Sequence, residues 1–205
     1  CAGFTTGLSD ATGGGAWSTS TSSVATINSS GLVTGVAAGT TTITYTLPAG
    51  CFSTAVVLVN PVPVAITNNN AVCIGATNTL SDATGFGQWT SSNTTVASIT
   101  LTTGVLTGNT AGTSTISYSL STGCYVTATA TVNPFPGAIT GTTNVCVAST
   151  TALTDAGGGT WTSSNANASV GLNTGIVTGA TAGSSTITYT LPTGCQATTG
   201  VTVNP

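Results

Sequence analysis

Residues 89–120 read WTSSNTTVASITLTTGVLTGNTAGTSTISYSL. The same pattern returns as WSTSTSSVATINSSGLVTGVAAGTTTITYTL from Trp17 to Leu47 and as WTSSNANASVGLNTGIVTGATAGSSTITYTL from Trp161 to Leu191. Self-similarity at a fixed period defines the unit that has to fold, so it outranks other local signals. Trp17, Trp89 and Trp161 lie one period apart, as do Tyr45, Tyr118 and Tyr189. Two cysteine series, Cys1, Cys73, Cys146 and Cys51, Cys124, Cys195, keep the same spacing, and Asn60-Pro61, Asn133-Pro134 and Asn204-Pro205 close the units. The chain of 205 residues therefore divides into three repeats of about 72 residues: 1–61, which lacks its first strand, 62–134 and 135–205. Units of this size are only marginally stable alone, and extra staples are expected.

Alternation identifies the secondary structure. In Ile187-Thr188-Tyr189-Thr190-Leu191 the apolar residues point one way and the threonines the other, the period of a half-buried strand. Ile43, Tyr45, Leu47 and Ile116, Tyr118, Leu120 repeat the pattern. On the last strand of the second unit Ala128, Ala130 and Val132 are expected inside and Thr127, Thr129 and Thr131 outside. In the third unit, strands are expected at 137–147, 151–154, 160–163, 169–172, 176–178, 185–191 and 195–203, joined by glycine-rich turns such as Asp155-Ala156-Gly157-Gly158-Gly159. Seven short strands predict an all-β fold of three tandem immunoglobulin-like β-sandwich domains. Trp17, Trp89, Trp161, Tyr45, Tyr118 and Tyr189 are read as core residues, the tyrosine hydroxyls seeking backbone partners. The linkers Pro61-Val62-Pro63 and Pro134-Phe135-Pro136 are short and stiff, which implies a rod.

Trp89-Thr90-Ser91-Ser92-Asn93, Val96-Ala97, Gly104-Val105-Leu106-Thr107-Gly108, Ala111-Gly112-Thr113 and Ile116 resemble the bacterial immunoglobulin-like domain of the invasin and intimin type, whose pattern runs W-S-S-S-N, V-A, G-x-V-T-G, A-G-T, I-T. Trp17-Ser18-Thr19-Ser20, Gly31-Leu32-Val33-Thr34-Gly35 and Ala38-Gly39-Thr40 match again, as do Trp161-Thr162-Ser163-Ser164-Asn165 and Gly175-Ile176-Val177-Thr178-Gly179. The resemblance implies a spacer or stalk in a large secreted bacterial surface protein. The tandem, cysteine-bearing style with V-x-V-N-P endings also resembles the very long surface proteins of gliding Bacteroidota. The chain reads as a segment of a longer array.

Composition excludes most chemistry. The ionisable side chains of the usual acid–base set are Asp10, Asp82 and Asp155 alone, with no Lys, Arg, His or Glu. Paired-carboxylate and histidine-dependent mechanisms have no residues to run on, so no enzyme activity is expected. Without cations nothing neutralises phosphates, so nucleic acid is not an expected partner, and Thr, Ser, Gly and Asn interrupt every apolar run before membrane-spanning length. Neither a signal peptide nor an isopeptide bond, which needs Lys, is expected.

Each aspartate follows a strand in a Leu-Ser/Thr-Asp-Ala context. A lone carboxylate is a poor calcium site, so these residues are read as caps on turn amides, with no metal or cofactor. The sequons at Asn28, Asn93 and Asn167 are expected by chance in a chain so rich in Asn, Ser and Thr. Six cysteines with no His and no C-x-x-C predict disulfides in an oxidising, extracellular setting. Two pairings stay open. Pairing within repeats would join Cys1–Cys51, Cys73–Cys124 and Cys146–Cys195, each loop of about 50 residues stabilising by about 4 kcal/mol. Pairing between repeats would join Cys1–Cys124 and Cys73–Cys195, leaving Cys51 and Cys146 for neighbours, because strand counting puts the two cysteines of one repeat at opposite poles.

The expected function is structural: a repeat segment of an extracellular bacterial filament, stalk or giant surface adhesin giving length, stiffness and protease resistance, secreted or on the cell surface. Its expected partners are other copies of the same repeat, in a homopolymer or continuous array. The alternative is an adhesive module whose exposed threonine rows contact glycan, ice or another surface. A third route is strand donation from a neighbour into the first repeat.

Overall fold

The computed structural model describes all of residues 1–205 and contains strands and no helix. The first repeat holds β1 (Thr5–Gly7), β2 (Ala16–Thr19), β3 (Ala25–Ile27), β4 (Leu32–Gly35), β5 (Gly39–Thr46) and β6 (Phe52–Val59). The second holds β7 (Ala71–Cys73), β8 (Thr77–Thr79), β9 (Gln88–Ser91), β10 (Ala97–Ile99), β11 (Val105–Gly108), β12 (Gly112–Ser119) and β13 (Tyr125–Asn133). The third holds β14 (Thr140–Gly141), β15 (Asn144–Cys146), β16 (Thr150–Thr154), β17 (Thr160–Ser163), β18 (Ala168–Val170), β19 (Ile176–Gly179), β20 (Gly183–Thr190) and β21 (Gln196–Asn204).

Every repeat is two sheets enclosing one core. The sheets run β2-β5-β6 and β1-β4-β3, then β7-β13-β12-β9 and β10-β11-β8, then β15-β21-β20-β17 and β14-β16-β19-β18. The period-2 pattern sets the packing: in β12, Ser114, Ile116 and Tyr118 are buried while Thr113 and Thr115 are exposed. Leu80, Trp89, Ala97, Leu106, Ile116, Tyr118, Ala130 and Val132 make up most of the second core, and Leu153, Trp161, Ala168, Val177, Ile187, Tyr189, Val201 and Val203 most of the third. Each fully buried Val, Leu or Ile contributes about 1.5–3 kcal/mol by leaving water.

The first strand of the third repeat differs from the expected single strand over 137–147. It breaks into β14, antiparallel to β16 in one sheet, and β15, parallel to β21 in the other. Gly141 lies at the break with φ +123°, where a Cβ would stand 2.3 Å from the Ala152 carbonyl oxygen, so the chain changes sheet at a residue without a side chain. β7 makes the matching parallel pairing with β13.

The residues after each tryptophan are explained by buried hydroxyls. Ser114 Oγ accepts from the Asn93 amide at 3.0 Å and lies 2.8 Å from Ser91 Oγ, and Thr41 Oγ1 accepts from the Thr21 amide at 3.1 Å. Ser185 Oγ accepts from the Ala168 amide and donates to Asn165 Oδ1. The Ser-rich run is therefore a set of partners for a buried polar position on the next long strand, where an unpaired hydroxyl would be costly. The Asn28 and Asn93 side chains accept amides two residues on, from Ser30 and Thr95, so these sequons have a local role as turn formers.

Tyrosine and tryptophan form one unit per repeat, with ring centroids 4.6 or 4.7 Å apart. The Tyr45, Tyr118 and Tyr189 hydroxyls accept from the amides of Gly15, Gly87 and Gly159, and Tyr45 also donates to the Thr12 carbonyl. Replacing Tyr118 by Phe keeps the ring and strands the Gly87 amide. Urea titration of the Tyr118→Phe protein is expected to show the second repeat destabilised by roughly 1–3 kcal/mol.

Trp89 and Trp161 are buried, while Trp17 is half-buried and packs against the first core from its edge. Ile66 and Ile139 pack against the second and third cores from segments ahead of β7 and β15. The buried cluster of the first repeat is Ala25, Val33, Ile43 and Val59, with Ala2, Leu8 and Trp17 among the residues packed against it.

Candidate functional site: the bonded junctions

The cysteines sit at the ends of the long last strands. Cys51, Cys124 and Cys195 close the hairpins that open β6, β13 and β21. The hairpins superpose in their hydrogen bonds: Leu47, Leu120 and Leu191 amides donate to the Cys51, Cys124 and Cys195 carbonyls at 2.8, 2.8 and 2.9 Å. Gly50, Gly123 and Gly194 take φ of +88°, +82° and +88° just before each cysteine, a conformation open to glycine.

Cys1, Cys73 and Cys146 sit at the other pole, where those strands end. The following amides, of Ala2, Ile74 and Val147, donate to Asn60, Asn133 and Asn204 carbonyls at 3.0, 3.1 and 2.9 Å. Each cysteine backbone lies over a glycine: a Cβ on Gly35, Gly108 or Gly179 would meet the Cys1, Cys73 or Cys146 carbonyl oxygen at 2.5, 2.7 or 2.6 Å. The last Gly of each G-x-V-T-G-like motif is thus the floor of a cysteine seat.

This geometry separates the two pairing schemes. β13 has nine residues between the Cys124 pole and the Cys73 pole, about 30 Å of strand, whereas a disulfide needs Cα atoms within about 7 Å. The within-repeat pairs Cys1–Cys51, Cys73–Cys124 and Cys146–Cys195 do not occur in the structure for that reason. Cys1 is bonded to Cys124 and Cys73 to Cys195, with Cα atoms 5.6 and 5.7 Å apart. Both bonds join the end pole of one repeat to the hairpin pole of the next, so each junction is crossed by the peptide linker and by sulfur. Cys124 and Cys195 are buried, while Cys51 and Cys146 are free and exposed. Phe4 packs edge-on against Tyr125 across the first junction, centroids 5.3 Å apart.

The aspartates divide. Asp10 caps the Thr12 amide at 2.9 Å and accepts from Ser53 Oγ at 3.0 Å; the Thr12 amide first, then the Ser53 hydroxyl, lower its pKa from the usual carboxylate value. Asp82 Oδ1 accepts from the Thr84 amide at 2.7 Å, with Oδ2 buried and unpartnered. Asp155 departs from the expected capping role: both its oxygens are buried without a partner. No group of three or more His, Cys, Asp or Glu side chains comes together anywhere in the chain.

The hydroxyl faces are also unequal. In the second repeat Thr113 and Thr115 lie opposite Thr131 and Thr129, and in the third Thr188 lies opposite Thr198. In the first, Thr40 and Thr42 face Leu58 and Val56 instead, and Phe52, Val56 and Leu58 are 69, 73 and 64 % exposed. Sequence reading also passed over Phe86, fully exposed in the left-handed region (φ +59°) where the other repeats carry Gly14 and Gly158. The signal was present: a lone aromatic in a turn that is all glycine in its siblings.

Strand order, tyrosine anchoring and sandwich packing define a tandem immunoglobulin-like protein bolted at its junctions. Residues 5–59, within the first repeat, match the family described as the bacterial Ig-like domain (group 2), and the other two repeats carry the same strands and turns. No curated protein matches the chain. Among solved structures, invasin, described as a bacterial integrin-binding protein, is 17% identical over 93% of this chain and 52% of its own, with a TM-score of 0.47. The C-terminal 282-residue fragment of intimin is 22% identical over 80% of this chain and 57% of its own, TM-score 0.37. The S-layer protein rSbsC(31-844) is 17% identical over 92% of this chain and 35% of its own, TM-score 0.32. The chain therefore spans about a third of that S-layer structure and about half of invasin.

Proposed function

We propose that this chain is a load-bearing repeat segment of an extracellular bacterial filament, stalk or surface adhesin, with domains 1–61, 62–134 and 135–205, and that it carries no catalytic site. The observation behind this reading is the double covalent crossing of each junction, Cys1–Cys124 beside one proline linker and Cys73–Cys195 beside the other. A single linker resists stretching and leaves bending free; a second bond displaced from it opposes bending and rotation. Disulfides persist outside the reducing cytosol, which fits a secreted or surface location. Low net charge, −3 over 205 residues, leaves weak repulsion between copies and so favours lateral packing with other copies.

Small-angle scattering tests this. Native chain is expected to give a narrow distance distribution, and Cys1→Ser with Cys73→Ser a broad one of articulated repeats, at unchanged circular dichroism. Identical distributions would overturn the stiffening role. A second reading, an adhesive module contacting a surface through its hydroxyl faces, draws support from Phe86, an aromatic side chain held in full exposure at a backbone angle costly for a non-glycine residue. Selective loss of surface or glycan binding in Phe86→Gly would favour it over the purely structural reading.

A further inference from the structure

The geometry points to covalent head-to-tail joining of copies: Cys146 of one copy bonds Cys51 of a second. This rests on the structural reading above and adds the residues that extend it. The two observed bonds follow one rule, with the end-pole cysteine of one repeat joined to the hairpin cysteine of the next. Cys146 is the end-pole cysteine that the rule leaves without a partner, and Cys51 the hairpin cysteine; both are free and exposed.

Both seats are already built. Cys146 lies over Gly179 as Cys1 and Cys73 lie over Gly35 and Gly108, and the Ser149 amide closes its turn on the Cys146 carbonyl at 3.0 Å, as Phe4 and Ala76 close theirs at 3.1 and 3.0 Å. Cys51 stands in a hairpin with the same two backbone bonds as those of Cys124 and Cys195. A neighbouring aromatic carries the same mark independently. Phe52 holds the register position of Tyr125, which packs on Phe4 across the first junction, and its side chain is 69 % exposed. The partner these features fit is a second copy of this chain.

The step consumes a disulfide oxidant such as oxidised glutathione. The Cys146 thiolate attacks it, forming a mixed disulfide and releasing one glutathione thiolate. The Cys51 thiolate of the second copy then attacks the Cys146 sulfur, forming the Cys146–Cys51 bond and releasing the second. Two cysteine thiols are oxidised, one disulfide is reduced to two thiols, and the two protons pass to the released glutathione.

Purified chain with Cys1–Cys124 and Cys73–Cys195 intact is incubated with oxidised glutathione and run on a non-reducing gel. A ladder in steps of 19.6 kDa is expected, collapsing on reduction. A mixture of Cys51→Ser and Cys146→Ser chains is expected to stop at dimers, mapped with a non-tryptic protease to a Cys146–Cys51 bond, and each variant alone to lose them. Dimers joined Cys51–Cys51 and Cys146–Cys146 as often as Cys146–Cys51, or glutathione adducts alone, would overturn the inference. The scattering of the single chain is unaffected by either result, so stiff monomers without a ladder would fail this inference and leave the stiffening role standing.

Discussion

Pulled by its two ends with both disulfides intact, the chain is expected to go taut after about 61 residues of backbone, against about 204 once reduced, or roughly 210 Å against 700 Å at about 3.4 Å per residue. The short route runs from Cys1 across sulfur to Cys124, backward along the chain to Cys73, across sulfur to Cys195 and on to Pro205. It is short because the two bonds overlap, so the segment 73–124 belongs to both closed loops. Folded repeats already span about 30 Å each along their last strands. Because Cys1 lies at the junction with the second repeat, the folded path between the two ends crosses only the second and third repeats, about 60 Å, so complete unfolding lengthens the oxidised chain roughly 3.5-fold and the reduced chain roughly 12-fold. Single-molecule pulling with and without reductant measures this directly; equal contour lengths in the two conditions would mean that the bonds are not made as the structure has them.

Trp89→Ala is expected to cost about 3–5 kcal/mol, enough to unfold the second repeat, because the ring is 4% exposed and its removal leaves a cavity against Leu106 and Tyr118. Trp17→Ala should cost less than that, since Trp17 is only partly buried, against a smaller core cluster. Near-ultraviolet circular dichroism and urea melts of the two proteins separate the cases, and equal losses would contradict the different packing of the first core. The flanking disulfides should hold the unfolded second repeat between folded neighbours, so the Trp89→Ala melt is expected to become two-stage.

Much of this was legible because the information is periodic and local. Trp89-Thr90-Ser91-Ser92-Asn93 and its two copies carry a strand, a turn and one side of a hydroxyl network whose other side, Ser114, lies some twenty residues on within the same repeat. Alternation in Ile116-Ser117-Tyr118-Ser119 decides its own inward face by side-chain geometry alone. The expected single strand over 137–147 failed at Gly141, because continuity of composition does not reveal a change of partner sheet. Asp155 was expected to cap a turn like Asp10, but each carboxylate depends on which amide its loop presents. Phe52, Val56, Leu58 and Phe86 escaped notice because the repeat average hides what one repeat does alone.

What the sequence by itself determined is the period, the all-strand class, the inward residues of the long strands and the absence of a cation anywhere in the chain. Only the tertiary structure decided the cysteine partners, splitting Cys73 from Cys124 and bringing it to Cys195. The physical reason is that a disulfide answers to distance in space. The two cysteines of one repeat are held a strand length apart by the rigidity of β13, while the linkers bring those of successive repeats within bonding reach.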